Sequence, residues 1–179
     1  MSKAIGMVEY KTVATGIMAL DAMVKAANIE IVEAQTVCPG KYIAIITGGL
    51  SEVNAAADVA KQFGEQLINS FVLGNPHESI MPAIYGTADI EEVSAVGILE
   101  TYDATSIIVA ADTAAKTAIV DLIEIRVAKG MCGKSFMVIT GEVAAVTAAI
   151  EKAKDAQTGM YLDSCVIAHP DEKLKRVLL

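Results

Sequence analysis

Ala4-Ile-Gly-Met-Val-Glu9 and Gly40-Lys-Tyr-Ile-Ala-Ile-Ile-Thr-Gly48 each occur twice in this chain. The first stretch recurs as Ala95-Val-Gly-Ile-Leu-Glu100, an offset of 91 residues, and the second as Gly133-Lys-Ser-Phe-Met-Val-Ile-Thr-Gly141, an offset of 93. The second copy therefore carries two extra residues in the loop before Gly133. This duplication in a chain of 179 residues predicts two like domains, residues 1–91 and 92–179, each large enough for its own core.

The apolar pattern predicts a first helix in each copy. Thr12 is placed to cap a helix whose buried face would be Val13, Ile17, Leu20 and Val24, with Asn28 just beyond its end. The same spacing recurs at Ala104, Ile108, Ala111 and Ala115. The shared spacing predicts a helix with one buried face in both copies.

Strands and a second helix complete the repeat. Alternation of Ile123, Ile125 and Val127 with charged residues predicts a half-exposed strand, matched by residues 30–37 in the first copy. A strand over residues 42–47 follows, then a helix capped by Ser51, then a strand near residues 71–73 matched by residues 165–167. The apolar face of this helix would comprise Val53, Ala56, Ala60, Phe63 and Leu67, echoed by Val146, Ala149 and Ala153.

The resulting order is β-α-β-β-α-β in each copy. This order is typical of a ferredoxin-like α+β fold, in which two helices cover one face of an antiparallel sheet. The copies are joined by a short polar segment, residues 86–93.

The composition constrains location and partners. Apolar residues make up 54% of the chain and aromatic residues only 4%, which favours an oligomer that buries the excess between subunits. The net charge of -8 argues against nucleic acid as a partner. No apolar run approaches the roughly 18 residues that would span a membrane, and the start at Met1 lacks an export signal. We expect a cytoplasmic protein.

Motifs for catalysis are absent from the sequence. The glycines near Gly48 and Gly133 match neither a phosphate-binding loop nor a dinucleotide fingerprint. His77 and His169 have no cysteine or carboxylate at metal-ligand spacing, and no nucleophile has a local signature. We therefore expect that the protein is not an enzyme.

Cys38 lies in a loop that the second copy does not reproduce. In Thr36-Val-Cys-Pro-Gly40 its thiol would be exposed between two strands. It is either a spare loop cysteine or a ligand. One chain has no cysteine series that could enclose an iron-sulfur cluster, but a threefold axis would bring three Cys38 thiolates together. Cys165, inside a strand, is predicted to be a small core residue.

Together, the doubled unit, Asp21-Ala-Met-Val-Lys-Ala-Ala-Asn28 and Cys38-Pro-Gly-Lys-Tyr42 resemble bacterial microcompartment (BMC) shell proteins with tandem BMC domains. The Cys-Pro-Gly-Lys loop resembles more narrowly the iron-sulfur-carrying, trimeric PduT type of propanediol-utilisation microcompartments. The resemblance implies a homotrimer that forms a flat pseudohexameric tile and packs edge to edge with other shell proteins. A redox enzyme, encapsulated or cytosolic, would be a further partner.

The resemblance also implies roles for particular residues. Loops from both copies would line a central pore, with Cys38 of three chains binding one 4Fe-4S cluster for electron transfer across the shell. Cys132, which aligns with Pro39, departs from the family pattern and is an additional candidate ligand. The other implied pore-lining residues are Thr36, Val37, Pro39, Gly40, Lys41, Gly130, Met131 and Gly133. The implied tile-edge residues are Lys25, Lys116 and Asn28.

Two alternatives stay open. One is a tile whose pore holds no cluster and passes metabolites, with Cys38 merely lining it. The other is a trimeric regulator that binds a small molecule between ferredoxin-like domains.

Overall fold

The computed structural model of the protein describes residues 3–157 and 159–178. Met1 and Ser2, on which the expected absence of an export signal partly rests, and Leu179, the predicted end of the second domain, lie outside the described residues. Among those described, no helix is long and apolar enough to cross a membrane.

Each copy of the repeat forms six main elements in the predicted order, which is confirmed in both copies. The first copy comprises β1 (Ala4–Tyr10), α1 (Val13–Ala26), β2 (Glu30–Val37), β3 (Lys41–Gly48), α2 (Leu50–Ala60) and β4 (Leu67–Leu73). After a short helix, α3 (Ile80–Tyr85), the second copy comprises β5 (Ala95–Thr101), α4 (Ala104–Thr117), β6 (Asp121–Arg126), β7 (Ser135–Gly141), α5 (Val143–Asp155) and β8 (Tyr161–Ile167), followed by α6 (Glu172–Leu178).

Both sheets are four-stranded and antiparallel. The strand orders are β2-β3-β1-β4 and β6-β7-β5-β8, so the strand that opens each copy lies in the interior of its sheet. This order follows from the ferredoxin-like connection of the elements and confirms the predicted fold class. The core of the first copy lies between the sheet and its helices, where Val8, Ile46, Val53 and Ala56 pack together.

The buried face of α1 differs from the predicted one. Gly16, Ala19, Leu20 and Met23 are buried, whereas Ile17 and Val24 are 53% and 37% exposed. Apolar residues lie on all sides of α1, so spacing alone did not identify its inner face. Thr12 is the N-cap residue as predicted, but its side chain makes no capping hydrogen bond.

The second helix also begins and ends differently from the prediction. Gly49, not Ser51, is the N-cap residue of α2, and the Ser51 hydroxyl instead lies 2.9 Å from Glu52 Oε2. Phe63 belongs to a 3₁₀ turn and Leu67 begins β4. Val53, Ala56 and Ala60 are buried as expected. The prediction merged helix, turn and strand because their apolar residues happened to keep one spacing.

Two short helices were not predicted, and one cysteine was placed wrongly. The helices α3 and α6 are too short for a recognisable pattern. Cys165 is exposed, so its assignment as a core residue is wrong. It lies on the edge strand β8 and pairs with Ile98, and this face of the sheet is opposite the one on which Val146 and Ile150 of α5 pack near Gly97.

By contacts the chain divides into two compact units. The first comprises Met1–Pro76 together with Asp103–Thr105 and Ala128–Gly133, and the second comprises the remaining segments. Two short pieces of the second copy thus belong to the first unit. The domain ranges 1–91 and 92–179 stay predictions about the repeat.

Candidate functional site

The first candidate loop is the tip of the hairpin between β2 and β3. Cys38 and Pro39, joined by a cis peptide bond, precede Gly40, whose φ of +95° favours glycine. The Gly40 N–H donates to the Val37 carbonyl at 2.9 Å. Val37 is buried, whereas Thr36 and Cys38 to Gly40 are exposed. The hairpin therefore presents the Cys38 thiol at its tip.

The second candidate loop, residues 127–134, joins β6 to β7 and is longer. Its backbone has positive φ at Ala128, Gly130, Cys132 and Gly133. A Cβ on Gly133 would lie 2.8 Å from Lys41 Nζ and 3.3 Å from the Cys38 carbonyl oxygen. Residues 128–133 thus lie against the first hairpin within the first unit. A glycine is needed at residue 133 both for its φ and for this close approach.

A buried ion pair lies at the base of the first hairpin. Lys41 Nζ donates to Glu9 Oε1 at 2.9 Å, and the side chains are 19% and 0% exposed. The backbone N–H of Ala104, at the first residue of α4, donates to Glu9 Oε2 at 2.8 Å. Burial raises the pKa of Glu9 above its usual value, an effect that Lys41 and the Ala104 N–H only partly oppose.

A second ion pair holds the longer loop. Lys129 Nζ lies 2.9 Å from Glu33 Oε1, and the Glu33 side chain is 14% exposed. Glu33 also accepts a hydrogen bond from Gln35. Both loops are therefore attached by a lysine to a carboxylate on a strand of the first sheet.

The three cysteines are free and exposed. Within residues 3–157 and 159–178, no three or more His, Cys, Asp or Glu side chains of a single chain are grouped to hold a metal. Cys38 and Cys132 lie in the two loops that meet, whereas Cys165 lies on β8. Burial, followed by the charges of Asp163 and Glu100, raises the pKa of the Cys165 thiol. Cys38 fits the role of one ligand per chain, and a cluster would need thiols from several chains.

The predicted edge residues lie away from these loops in sequence. Lys25 pairs with Asp21 at 2.5 Å on the exposed side of α1, and Asn28 is exposed just after that helix. Lys116 pairs with Asp112 at 2.6 Å on α4, where Asp112 is only 8% exposed. Asp112 also accepts the His77 backbone N–H at 2.8 Å. The predicted i,i+4 ion pair thus forms once in each copy, on α1 and on α4.

Sequence reasoning identified both loops but missed the groups that hold them, Glu9 and Glu33. For Glu9 a signal existed, because both Glu9 and Lys41 recur in the second copy, as Glu100 and Lys134. For Glu33 we find no comparable signal.

The BMC domain family matches two parts of this chain, residues 4–76 and 95–170. The bacterial microcompartment shell protein PduT of Citrobacter freundii is 36% identical over 182 residues, which cover 100% of this chain and 99% of that protein. The carboxysome shell protein CsoS1 of Synechococcus sp. (strain WH7803) is 32% identical over 88 residues, 47% of this chain and 85% of that protein.

Solved structures give the same picture. A microcompartment protein from Desulfitobacterium hafniense DCB has a TM-score of 0.86 and 41% identity, covering 98% of this chain and 99% of that one. A fused, permuted, hexameric shell protein from the RMM microcompartment has a TM-score of 0.65 over 86% of this chain and 80% of that one. At 18% identity this second similarity indicates only a shared fold.

Proposed function

Because the chain belongs to the BMC domain family and is a structural shell protein of a bacterial microcompartment, we propose that three copies close into a tile in the cytoplasm. The tile has six like domains around a central pore, and Cys38 of each copy binds one 4Fe-4S cluster there. Other shell proteins pack around its edge.

The observation that carries the closed tile is a pair of complementary exposed surfaces. In α4 the residues Ile107, Ile108 and Ala111 are completely buried within the chain. In α1, the equivalent helix of the first copy, Ile17 and Met18 are 53% and 56% exposed. We take a second copy of the chain as the partner for α1, because each chain also carries a partly open apolar sheet face.

That surface is the sheet face opposite α5. In the first copy the equivalent face is buried, with Met7, Ile43 and Ile45 at 1%, 0% and 0% exposure. In the second copy Ile98 and Phe136, at the positions of Met7 and Ile43, are only half-buried. Among the described residues, each chain thus has a first helix with an exposed apolar side and a second sheet with a partly open face. A head-to-tail contact of this kind forms a ring when the rotation between chains closes, and a ring of three chains supplies six domains.

The hairpin tip supports the pore assignment. Three copies of the tip around the axis would bring together three exposed thiols, the number that a cubane cluster needs if its remaining iron has another ligand. Lys41 and Lys129 are each paired with a carboxylate of the first sheet, which fixes the positions of the two loops. When bound, the cluster would supply one-electron transfer across the shell. Cys132 is a secondary candidate ligand.

Iron analysis tests the cluster. Protein purified without oxygen should contain about four irons for each three chains and an electron paramagnetic resonance signal after reduction. Cys38→Ser should remove both. Thr36→Ala is the matched control, since Thr36 is exposed on the same hairpin but carries no thiol. Iron-free protein would favour a pore that passes metabolites without a cluster. Cys38→Ser protein with undiminished iron would overturn the assignment of Cys38 as the ligand.

Sedimentation tests the tile itself. The mass should be three times the 18.7 kDa of one chain. A chain that stays monomeric at all concentrations would contradict the closed tile and, with it, the shared cluster.

The edge role of Lys25, Lys116 and Asn28 is tested separately. Lys25 is 72% exposed, so its apolar stem is available to a neighbouring tile while its ammonium meets polar atoms. Lys25→Ala should abolish extended sheets in electron micrographs while the trimer persists. Lys61→Ala, which removes a lysine that is 60% exposed and paired with Asp58, is the matched control and should leave sheets intact.

A further inference from the structure

We propose that Glu100 and Lys134 of one copy of this chain clamp the start of α1 in a second copy, with the Glu100 carboxylate accepting the backbone N–H of Val13. The inference rests on the proposed closed tile and names the residues that hold its chains together.

The first unit contains the template for this clamp. The Glu9 side chain is completely buried, and its two oxygens accept the Lys41 ammonium at 2.9 Å and the Ala104 N–H at 2.8 Å. Ala104 is the first residue of α4. The first N–H groups of a helix have no acceptor within the helix, and a carboxylate is favourable at this positive end. Glu9 thus caps α4 from a neighbouring strand.

Each residue of this arrangement has an equivalent in the other half of the repeat. Glu9, Lys41 and Ala104 correspond to Glu100, Lys134 and Val13. The strand registers agree, since Tyr10 pairs with Tyr42 and Thr101 pairs with Ser135. Val13 is likewise the first residue of α1. The acid and the lysine are both retained, yet Glu100 is only half-buried and Lys134 is exposed in one chain.

A second pair of residues supports the clamp independently. Asn69, which pairs with Glu9 across the sheet, donates from Nδ2 to Asp103 Oδ2 at 2.7 Å, just before α4. The corresponding residues are Asp163, which pairs with Glu100, and Thr12. Donor and acceptor are exchanged: an amide facing a carboxylate becomes a carboxylate facing a hydroxyl. In the proposed contact the hydrogen bond is kept with donor and acceptor exchanged. The Thr12 hydroxyl of one chain donates to the Asp163 carboxylate of the other chain.

The surroundings favour a desolvated clamp. Phe136 pairs with Glu100, and Cys165 pairs with Ile98, which lies two residues before Glu100 on β5. These side chains therefore share the open face of the sheet with Glu100. Ile17 and Met18 follow Val13 by about one turn on α1 and are exposed. When these apolar side chains meet, water leaves the region of Glu100. A buried carboxylate then needs a positive partner, which Lys134 supplies.

Cross-linking tests the geometry. In a chain with Cys38, Cys132 and Cys165 changed to Ser, the pair Thr12→Cys and Asp163→Cys should form disulfides between chains on oxidation. The matched pair Asn69→Cys and Asp103→Cys should form one within a chain, because the two native side chains already touch. On non-reducing gels the first variant should give covalent dimers and trimers, and the second only monomers.

Glu100→Gln tests the energetics. Removing the charge of a desolvated pair should raise the dissociation constant measured by sedimentation at least about tenfold. Glu9→Gln, the same change within one chain, should lower the melting temperature without altering that constant. If trimers form but neither the cross-link nor the Glu100→Gln effect is found, the clamp is wrong and the tile stands. Monomers at every concentration would overturn both.

Discussion

Helices α1 and α4 occupy the same place in the two copies and have 14 residues each, yet α4 is buried over much more of its surface than α1. Ile108 has no exposed surface, whereas Ile17, at the equivalent position, is 53% exposed. The sheets differ in the opposite sense. The sheet face opposite α2 is buried in the first copy, whereas the face opposite α5 is partly open in the second. Equivalent surfaces are thus buried in one copy and exposed in the other, and the proposed tile assigns the exposed ones to the contact between chains.

The largest effect that would test this contrast comes from replacing each of the equivalent isoleucines, Ile108 and Ile17, by aspartate. Ile108→Asp should lower the free energy of unfolding by about 4 kcal/mol or more, because it leaves a cavity and buries an unpaired carboxylate. Ile17→Asp should change the unfolding of dilute protein by less than about 1 kcal/mol, since its side chain is half exposed. Urea unfolding followed by circular dichroism measures both.

The same two variants separate folding from assembly. Ile17→Asp should stay folded but lose the trimer in sedimentation experiments. A fully trimeric Ile17→Asp variant would mean that α1 is not part of the contact between chains, and the comparison of the two helices would lose its functional meaning.

Much of the fold was predictable because it depends on local periodicity and on the repeat. The order of elements and the strand over residues 30–37 follow from sequence spacing. The buried face of α1 was not predictable, because Ile17 and Met18 are apolar although they are exposed in the chain. The loops of the site were found through Cys38 and the glycines. Glu33 was not, because its partner Lys129 is about 96 residues further along the sequence, and no local pattern connects them.

The next effect concerns Tyr10, a residue of the first copy whose equivalent in the second copy is Thr101. The Tyr10 hydroxyl is buried and donates to the Ala60 carbonyl at 2.8 Å, and burial raises its pKa to about 12. A raised folded-state pKa contributes stability that is fully present below the unfolded value near 10 and is lost as pH rises toward 12. Unfolding free energy should therefore fall by roughly 3 kcal/mol across this interval.

Tyr10→Phe isolates that contribution. At pH 8 the variant should be less stable than the natural protein by about 1 kcal/mol, the value of one hydrogen bond. The order should reverse between pH 10 and 12, because the loss in the natural protein exceeds this difference there and phenylalanine has no proton to lose. Urea titrations at fixed pH steps give the difference between the two proteins. A difference that does not change between pH 9 and 12 would contradict a buried Tyr10 hydroxyl in solution.

The smallest effect concerns an exchange of sizes between the copies. In the first copy Gly16 lies so close to Tyr42 that a Cβ would be 2.5 Å from the ring. The corresponding residues in the second copy are Ile107 and Ser135, both fully buried. A small residue facing a large one has become a large residue facing a small one. The two copies therefore fill the same space between helix and sheet from opposite sides.

A double-mutant cycle measures this exchange. Gly16→Ala alone should cost about 1–3 kcal/mol through overpacking against Tyr42. In a Tyr42→Ser background the same change should cost nothing and gain up to about 1 kcal/mol, because alanine is the better helix former. The coupling should therefore be as large as the single cost, far above the few tenths expected of independent sites. Additive effects would mean that each copy packs its first helix by its own rules, and the repeat would then be a poor guide to contacts between chains.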